Sequence, residues 1–358
     1  MENIYKDFKF YNIMIDSHLS DEDEIGLVIS EYISSKIPEE EIKLFFDDFT
    51  SINYTEKNIN NYIHVVCFLG VPFKKEFIDY IIEQYFISNF NTFGPILLNN
   101  NDFKERLQNL DFSLMNDAFI LYLVEKHITI THLDASWNEQ ITDNSIEQLH
   151  ELLSLDASSN EEITDASVQQ LTNLIAIKVS NNNKITDESI QHLTNLKVLN
   201  CSNNEEVSDF SVRNLTNLEV LIASFNTNIS DDSVRLLTFL KELDASYNDK
   251  ITDLSVSLLT SLEKLGASNN KEITDDSVQL LYTTLKDLDA SFNHNITDNS
   301  VELLTSLEKL NASGNQNITD DSIQYLLSLK ELDASYNKFI SEDIVDKLPN
   351  LVVYKKFE

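Results

Sequence analysis

Histidine and cysteine are the side chains from which a metal site would first be built. His64 and Cys67 stand three residues apart. This spacing places both on one face of a helix and is found in metal sites. No second pair completes four ligands, and the seven histidines include no His-Glu-x-x-His motif. We therefore expect a neutral, partly buried pair, with neither metal nor cofactor, and a metal-dependent enzyme is only a remote alternative.

Pairs of aspartates are the second candidate for metal chemistry, because carboxylates bind calcium. They occur at Asp231-Asp232, Asp275-Asp276 and Asp320-Asp321. Each pair stands where a short helix is expected to begin, and negative charge is stabilised at a helix N-terminus. We interpret these aspartates as helix caps. No nucleophile stands beside a base, so the sequence does not predict an enzyme.

Composition excludes further classes of function. The five glycines are too far apart to form a glycine-rich phosphate loop. With 26 basic and 60 acidic residues the net charge is −34, which disfavours nucleic acid and anionic membranes as partners.

Location follows from a few further features. The sequence has no secretory leader pattern and no apolar run long enough to span a membrane. Cys67 and Cys201 are too few for a disulfide framework, and acceptor triplets at Asn200, Asn311 and Asn317 favour a chain that is not secreted. We expect a cytoplasmic protein.

One pattern recurs from Ile130 onward: Leu-x-x-Leu-x-Ala-Ser-x-Asn-x-x-Ile-Thr-Asp-x-Ser-Val. We number its positions from the first leucine, which makes the asparagine position nine. The asparagines are Asn138, Asn160, Asn182, Asn204, Asn226, Asn248, Asn270, Asn293, Asn315 and Asn337. Their spacing is 22 residues throughout, except for 23 between Asn270 and Asn293. Ten copies at a fixed period predict a solenoid of stacked units.

Each copy contains a strand, a turn and a short helix. In residues 240–245 apolar side chains alternate, as in a strand with one buried face. Asn248 is expected to end the strand in a left-handed conformation and to satisfy backbone groups with its amide. Thr252-Asp253 then caps a helix whose apolar spacing continues to Leu262.

This pattern resembles the leucine-rich repeat family, whose signature LxxLxLxxNxL it follows with alanine usual at position six. The period resembles the short bacterial and SDS22-like repeats. The Ile-Thr-Asp after the asparagine is similar to the cysteine-containing repeats of F-box adaptor proteins, with asparagine replacing cysteine. The resemblance implies an α/β solenoid with a curved parallel sheet on the concave side and short helices outside.

The two ends of the repeat array are expected to be caps. Residues 130–350 hold the ten repeats. Residues 101–129 form a degenerate capping repeat with a longer helix between Asn116 and Lys126. Residues 351–358 form a closing edge strand, whose exposed edge Lys355 and Lys356 protect.

Residues 1–100 are predicted to form a small helical domain. The segment 37–49 faintly resembles the opening of an F-box, but Glu41 stands where that module needs an apolar residue. The alternatives are therefore a degenerate F-box, which would bind a Skp1-type protein, and a simple helical cap.

Positions three, five and eight should face the concavity. In the last five repeats, position three alternates in sign: Glu242, Lys264, Asp287, Lys309 and Glu331. We expect these charges to pair across strands. At position eight, large and small residues alternate: Tyr247, Asn269, Phe292, Gly314 and Tyr336. Each aromatic ring should lie over its smaller neighbour.

The middle repeats instead carry an apolar patch, which is typical of a binding site. Its residues are Ala176, Val198 and Val220 at position three, Lys178, Asn200 and Ile222 at position five, and Phe225 at its edge. Asp134, Asp156 and Asp244 flank it. Two alternatives stay open: residues 1–100 cover the patch, or its β-branched residues only stabilise the sheet.

The sequence predicts a non-enzymatic scaffold that binds a protein on the concave face around repeats three to five. The partner should present an apolar epitope with a basic rim. The alternative from a different class is an F-box-type substrate adaptor of a ubiquitin ligase.

Overall fold

The computed structural model describes residues 115–357, which lie within one unit of the chain, Asp111–Glu358. The helical domain predicted for residues 1–100, its F-box-like segment 37–49 and the His64–Cys67 pair lie outside the described residues. So does the first half of the capping repeat predicted for residues 101–129.

Eleven short parallel strands form one sheet, and their order in the sheet follows their order in the chain. They are β1 His132–Asp134, β2 Ser154–Asp156, β3 Ala176–Lys178, β4 Val198–Asn200, β5 Val220–Ile222, β6 Glu242–Asp244, β7 Lys264–Gly266, β8 Asp287–Asp289, β9 Lys309–Asn311, β10 Glu331–Asp333 and β11 Val353–Lys355. Each strand occupies positions three to five of its repeat. Equivalent positions pair between neighbours, so every position forms a column across the sheet.

A short helix follows each of the first nine turns. After a nine-residue helix at Asp117–Glu125, the four-residue helices are Asp143–Ile146, Asp165–Val168, Asp187–Ile190, Asp209–Val212, Asp231–Val234, Asp253–Val256, Asp275–Val278, Asp298–Val301 and Asp320–Ile323. Two 3-10 helices complete the described elements, Gln279–Leu281 and Glu342–Lys347.

The core lies between the sheet and the helices. In β6, Leu243 at position four is buried, while Glu242 and Asp244 remain partly exposed on the opposite face of the sheet. Ala245 at position six and Val256 in the helix are also buried. The predicted alternation is confirmed. The sheet face opposite the core is named the concave face, because the resemblance to leucine-rich repeats implies that the sheet curves towards this side.

The anchor asparagines join each repeat to the one before it. The side-chain nitrogen of Asn160 donates to the backbone oxygens of Ala135, Asn138 and Ile141, at 3.0, 2.7 and 3.2 Å. Its side-chain oxygen accepts from the backbone nitrogen of Glu162 at 3.0 Å. The same amide contacts recur at Asn182, Asn204, Asn226, Asn270 and Asn315. The prediction that the amide satisfies backbone groups is confirmed.

The left-handed residue of the turn is position eight, not the asparagine. Ten residues there have positive φ: Trp137, Ser159, Asn181, Asn203, Phe225, Tyr247, Asn269, Phe292, Gly314 and Tyr336. The prediction that placed this conformation at position nine is therefore wrong. The asparagine side chain must instead point into the core side of the turn, where its amide reaches the preceding repeat.

A second ladder joins the helix starts. Thr252 caps its helix by accepting from the backbone nitrogen of Leu254 at 3.1 Å. Its backbone nitrogen and hydroxyl donate to the two carboxylate oxygens of Asp231, at 2.9 and 2.7 Å. The first aspartate of each helix thus accepts hydrogen bonds from the capping residue of the following repeat. Asp231 therefore has a structural role, because it joins two neighbouring repeats.

The extra residue between Asn270 and Asn293 is absorbed on the helix side. The 3-10 turn Gln279–Leu281 continues directly from the helix that ends at Val278. Lys264 of β7 still pairs with Asp287 of β8, so the column of position three is not displaced.

At each end of the asparagine ladder a different hydrogen bond replaces the contact between two anchor asparagines. Asn138 donates to the backbone oxygen of Met115 at 2.8 Å. At the other end, the ammonium group of Lys356 donates to the backbone oxygens of Asn337 and Ile340, where an eleventh asparagine amide would bind. Lys355 is exposed beside it on β11, the strand at the edge of the sheet.

Candidate protein-interaction face

The register places the residues of the predicted patch side by side. Ala176 pairs with Val198, and Val198 pairs with Val220, across β3 to β5. Each is partly exposed on the concave face. One position further along the strands, Lys178, Asn200 and Ile222 are aligned in the same way. The two columns form a contiguous surface with four aliphatic side chains.

One charge of this surface is neutralised within the chain. The ammonium group of Lys178 lies 3.0 Å from the carboxylate of Asp156 on the neighbouring strand. Asp134 and Asp244 accept hydrogen bonds from the backbone nitrogens of Ser136 and Ser246, at 3.0 and 2.9 Å. Of the three flanking carboxylates, Asp156 is therefore ion-paired, and Asp134 and Asp244 supply the net negative charge.

The Asn200 side chain is held by hydroxyl groups of the same face. Its oxygen accepts from the backbone nitrogen and hydroxyl of Ser202, at 3.1 and 2.9 Å, and from the hydroxyl of Ser180 at 2.8 Å. Three hydrogen bonds fix the orientation of this amide between the aliphatic side chains, so the polar part of the patch is preorganised.

Phe225 does not stand alone at the edge of the patch. Its ring stacks on Tyr247 of the next repeat, with centroids 4.2 Å apart and an interplanar angle of 13°. Phe225 remains 50% exposed and Tyr247 44% exposed. Both rings are in the left-handed column of position eight. The sequence analysis separated these residues between two regions, whereas the structure joins them as one exposed aromatic pair.

The alternating charges of position three pair as expected, but not around Asp287. Lys264 lies 2.8 Å from Glu242, and Lys309 lies 2.7 Å from Glu331. Each lysine thus makes its ion pair on the side away from Asp287, which is half-buried between them. Burial raises the pKa of the Asp287 carboxyl, and the charges of Lys264 and Lys309 only partly oppose this effect.

A second ion-pair column at position two was missed by the sequence analysis. Glu219 lies between Lys197 and Lys241, at 2.9 and 2.6 Å. Hydrogen bonds from Lys241 and Lys197 lower the pKa of Glu219 to about 2. Lys286 pairs with Glu263, and Lys330 pairs with Glu308. Alternation of sign along position two would have identified this column.

The double period of the last repeats has a steric basis. The ring of Phe292 lies over Gly314, where a Cβ atom would overlap the ring. In the same way the Asp244 carboxylate lies over Gly266, with its Oδ1 2.5 Å from where a Cβ would stand. The prediction that large side chains cover small neighbours is confirmed at Phe292.

Three further features of the described residues concern metal clusters, thiol reactivity and membrane-spanning helices. Between residues 115 and 357 no group of three or more histidine, cysteine or acidic side chains is arranged to hold a metal ion. Burial raises the pKa of the Cys201 thiol to about 12, so it packs as an apolar group. No helix within the same range is long and apolar enough to cross a membrane.

Comparison with known proteins identifies the fold. No protein-family model and no curated protein matches the chain. Among solved structures, an internalin (InlF) from Listeria monocytogenes is similar, with a TM-score of 0.52 and 28% identity over 65% of this chain and 68% of that one. The described part of this chain is a leucine-rich repeat solenoid, similar to that of this internalin.

Two further structures are similar over comparable lengths. The functional domain of InlJ from Listeria monocytogenes matches with a TM-score of 0.46 and 27% identity, over 64% of this chain and 54% of that one. A chain of the yeast Rad7–Elc1 complex matches with a TM-score of 0.48 and 16% identity, over 79% of this chain and 93% of that one.

Proposed function

We propose that this chain is a non-enzymatic scaffold that binds a protein partner on the concave face of repeats three to five. The observation that carries the proposal is the contiguous surface of Ala176, Val198, Val220 and Ile222. Leucine-rich repeat solenoids of this kind present an extended concave surface, which suits the binding of another protein.

The apolar patch lies between polar and charged parts of the same face. On the C-terminal side, Glu242 begins the series of paired charges at position three. On the N-terminal side, Asp134 and Asp156 occupy position five. Exposure of aliphatic side chains to water is unfavourable in free energy, so their presence here favours a partner that buries them.

The stacked pair Phe225–Tyr247 supports the same conclusion. The left-handed conformation recurs at this position in every repeat, so it belongs to the turn and does not distinguish these two residues. Both rings remain about half exposed, although they stack on each other. Exposed aromatic side chains are frequent centres of binding energy.

The charges around the patch favour a partner with a basic rim. Lys178 cancels the charge of Asp156, so the negative potential next to the patch comes from Asp134 on one side and Asp244 on the other. A complementary epitope is apolar at its centre and carries lysine or arginine at its rim, nearest to Asp244.

The test is a pair of matched variants. Val220→Asp with Ile222→Asp places two carboxylates in the patch, whereas Phe210→Asp with Leu254→Asp makes the same change at exposed helix positions. Partners are captured with the full chain, identified, and their affinities measured by calorimetry. We expect the patch variant to bind at least about a hundredfold more weakly, and the helix variant to bind normally. Equal binding by both variants contradicts the proposal.

The ubiquitin-ligase adaptor is a second candidate, and it rests on the resemblance of segment 37–49 to an F-box. It stays a prediction, because this segment lies outside the described residues. Direct binding of the full chain to a purified Skp1-type protein tests it, and lack of binding removes it. This outcome does not affect the concave-face proposal, whose variants concern a different part of the chain.

A further inference from the structure

A second apolar surface runs along the side of the solenoid, where each helix leads into the next strand. The second residue after the helix end is exposed and apolar in five consecutive repeats: Leu236, Leu258, Leu280, Leu303 and Tyr325. Exposed apolar residues two or three positions further on widen this surface: Phe239, Tyr282 and Leu327. We call these eight residues the apolar flank.

The apolar flank is uncharged in a strongly acidic chain. The five connecting segments, 236–240, 258–262, 280–285, 303–307 and 325–329, contain no charged residue, although the whole chain carries a net charge of −34. The bordering column at position two is also balanced, because Lys286 pairs with Glu263 at 2.6 Å and Lys330 with Glu308 at 2.7 Å. The flank and its border at position two therefore carry little net charge, whereas the helix border carries Arg235, which is paired with Asp232, and the exposed acidic residues Asp276, Glu302 and Asp321.

The first repeats show that the solenoid does not need these side chains. At the position of Leu236, repeats one to four have Gln148, Gln170, His192 and Asn214. Asn195 and Asn217 donate to backbone oxygens of the preceding repeat, at 3.0 and 3.2 Å. Phe239 replaces this asparagine in repeat five. In the later repeats, exposed apolar side chains thus replace polar residues, one of which makes a stabilising hydrogen bond in the earlier repeats.

We propose that two copies of this chain associate through the apolar flank. Two bodies with a charge of −34 repel one another, and the repulsion is smallest where the facing surfaces are uncharged. The segments of the flank add no charge to this repulsion, so burial of their apolar area favours a second copy.

The size and order of the flank fit a two-fold interface. Eight side chains, each about half exposed, offer about 800 Å², which is the area that each partner contributes to a standard stable interface. A two-fold axis brings the same surface of both copies together. It would set Leu280, the central residue of the column, against its counterpart and Leu236 against Tyr325 of the other copy.

Sedimentation equilibrium of the full chain tests the association. We expect a reversible dimer that becomes tighter as ionic strength rises, because salt screens the repulsion and favours apolar contact. Leu258→Glu with Leu280→Glu should weaken the dimer at least about a hundredfold. The control, Gln170→Glu with His192→Glu, makes the same change in the same column outside the flank and should dimerise normally.

A variant that fails to fold would be recognised by circular dichroism. In that event Leu258→Gln with Leu280→Gln replaces it, since glutamine occupies this position in the first two repeats. Oxidation of Leu280→Cys with a disulfide reagent should link two chains, whereas Gln170→Cys should not. A chain that stays monomeric at high concentration and high salt, or a dimer that the flank variants leave unchanged, overturns the proposal.

Discussion

The ammonium group of Lys356 lies 2.8 Å from the backbone oxygen of Asn337, the last anchor asparagine. It also donates to the backbone oxygen of Ile340. In the preceding repeats the amide of the following asparagine makes the equivalent contacts, for example from Asn315 to Asn293 and Ile296. A lysine thus satisfies the carbonyl groups that the asparagine amide of the following repeat satisfies elsewhere in the array.

Replacing this lysine should loosen the last repeat. Lys356→Met leaves two carbonyl groups without their donor, and we expect a loss of about 1–3 kcal/mol. Because repeats unfold locally, amide hydrogen exchange around Asn337 should rise more than exchange in the middle of the array. Lys355→Met, at the exposed neighbouring position, is the control and should change neither quantity. Equal exchange in both variants would show that the capping contacts contribute nothing.

Removing an internal anchor should have a larger effect. Asn226 is fully buried and donates to the backbone oxygens of Asn204 and Val207, at 2.6 and 2.9 Å. Asn226→Ala leaves these acceptors unpaired in the core, and we expect a loss of about 2–4 kcal/mol in denaturant unfolding. Asn144→Ala, at an exposed helix position, should change stability by less than about 0.5 kcal/mol. A small effect at both sites would contradict a structural role for the ladder.

The position-two ion pairs predict an acid titration. The folded chain holds the pKa of Glu219 at about 2, below its ordinary value of 4.5, through hydrogen bonds from Lys241 and Lys197. A lowered pKa means that this stabilisation is complete above pH 4.5 and is lost as pH falls towards 2. Carboxyl NMR should report this titration directly. The double variant Lys197→Met with Lys241→Met should return the pKa of Glu219 to the ordinary range. High salt should also raise this pKa.

The contact between Phe292 and Gly314 predicts a coupled pair of substitutions. Gly314 has φ of 66°, and an added Cβ would overlap the Phe292 ring. Gly314→Ala should therefore destabilise the chain by about 2–3 kcal/mol, of which about 1 kcal/mol is backbone strain. With Phe292→Ala already present, only the backbone part should remain. Additive effects in this double-mutant cycle would contradict the steric contact.

Periodicity alone was sufficient to predict the solenoid, its strands and the core. Residues 240–245 contain a strand with one buried face, as the alternation of their apolar side chains predicted, and Thr252 caps its helix as expected. The left-handed residue was misplaced by one position. Asparagine is the residue type that best tolerates this conformation, but here its side chain is needed for the ladder, and the backbone preference is overridden.

Contacts between repeats were harder to predict than contacts within one. The carboxylate of Asp231 was interpreted as a helix cap, whereas its oxygens bind Thr252 of the following repeat. The stacking of Phe225 on Tyr247 was missed because Phe225 was considered with the apolar patch and Tyr247 with the last repeats. Columns were compared only at positions three, five and eight, so the apolar flank was not recognised. Whether a partner occupies the concave patch is a property that the sequence of one chain does not contain.

The absorption of the extra residue at Gln279–Leu281 has a consequence for the geometry of the concave face. Length changes on the helix side leave the strand columns in register. The distance between two concave side chains is then set by the number of strands that separate them. Phe225 and Tyr336, five strands apart, are held about 24 Å from each other along the sheet. Gain or loss of a whole repeat would change such a distance in steps of one strand spacing, while the ladders within the remaining repeats stayed intact.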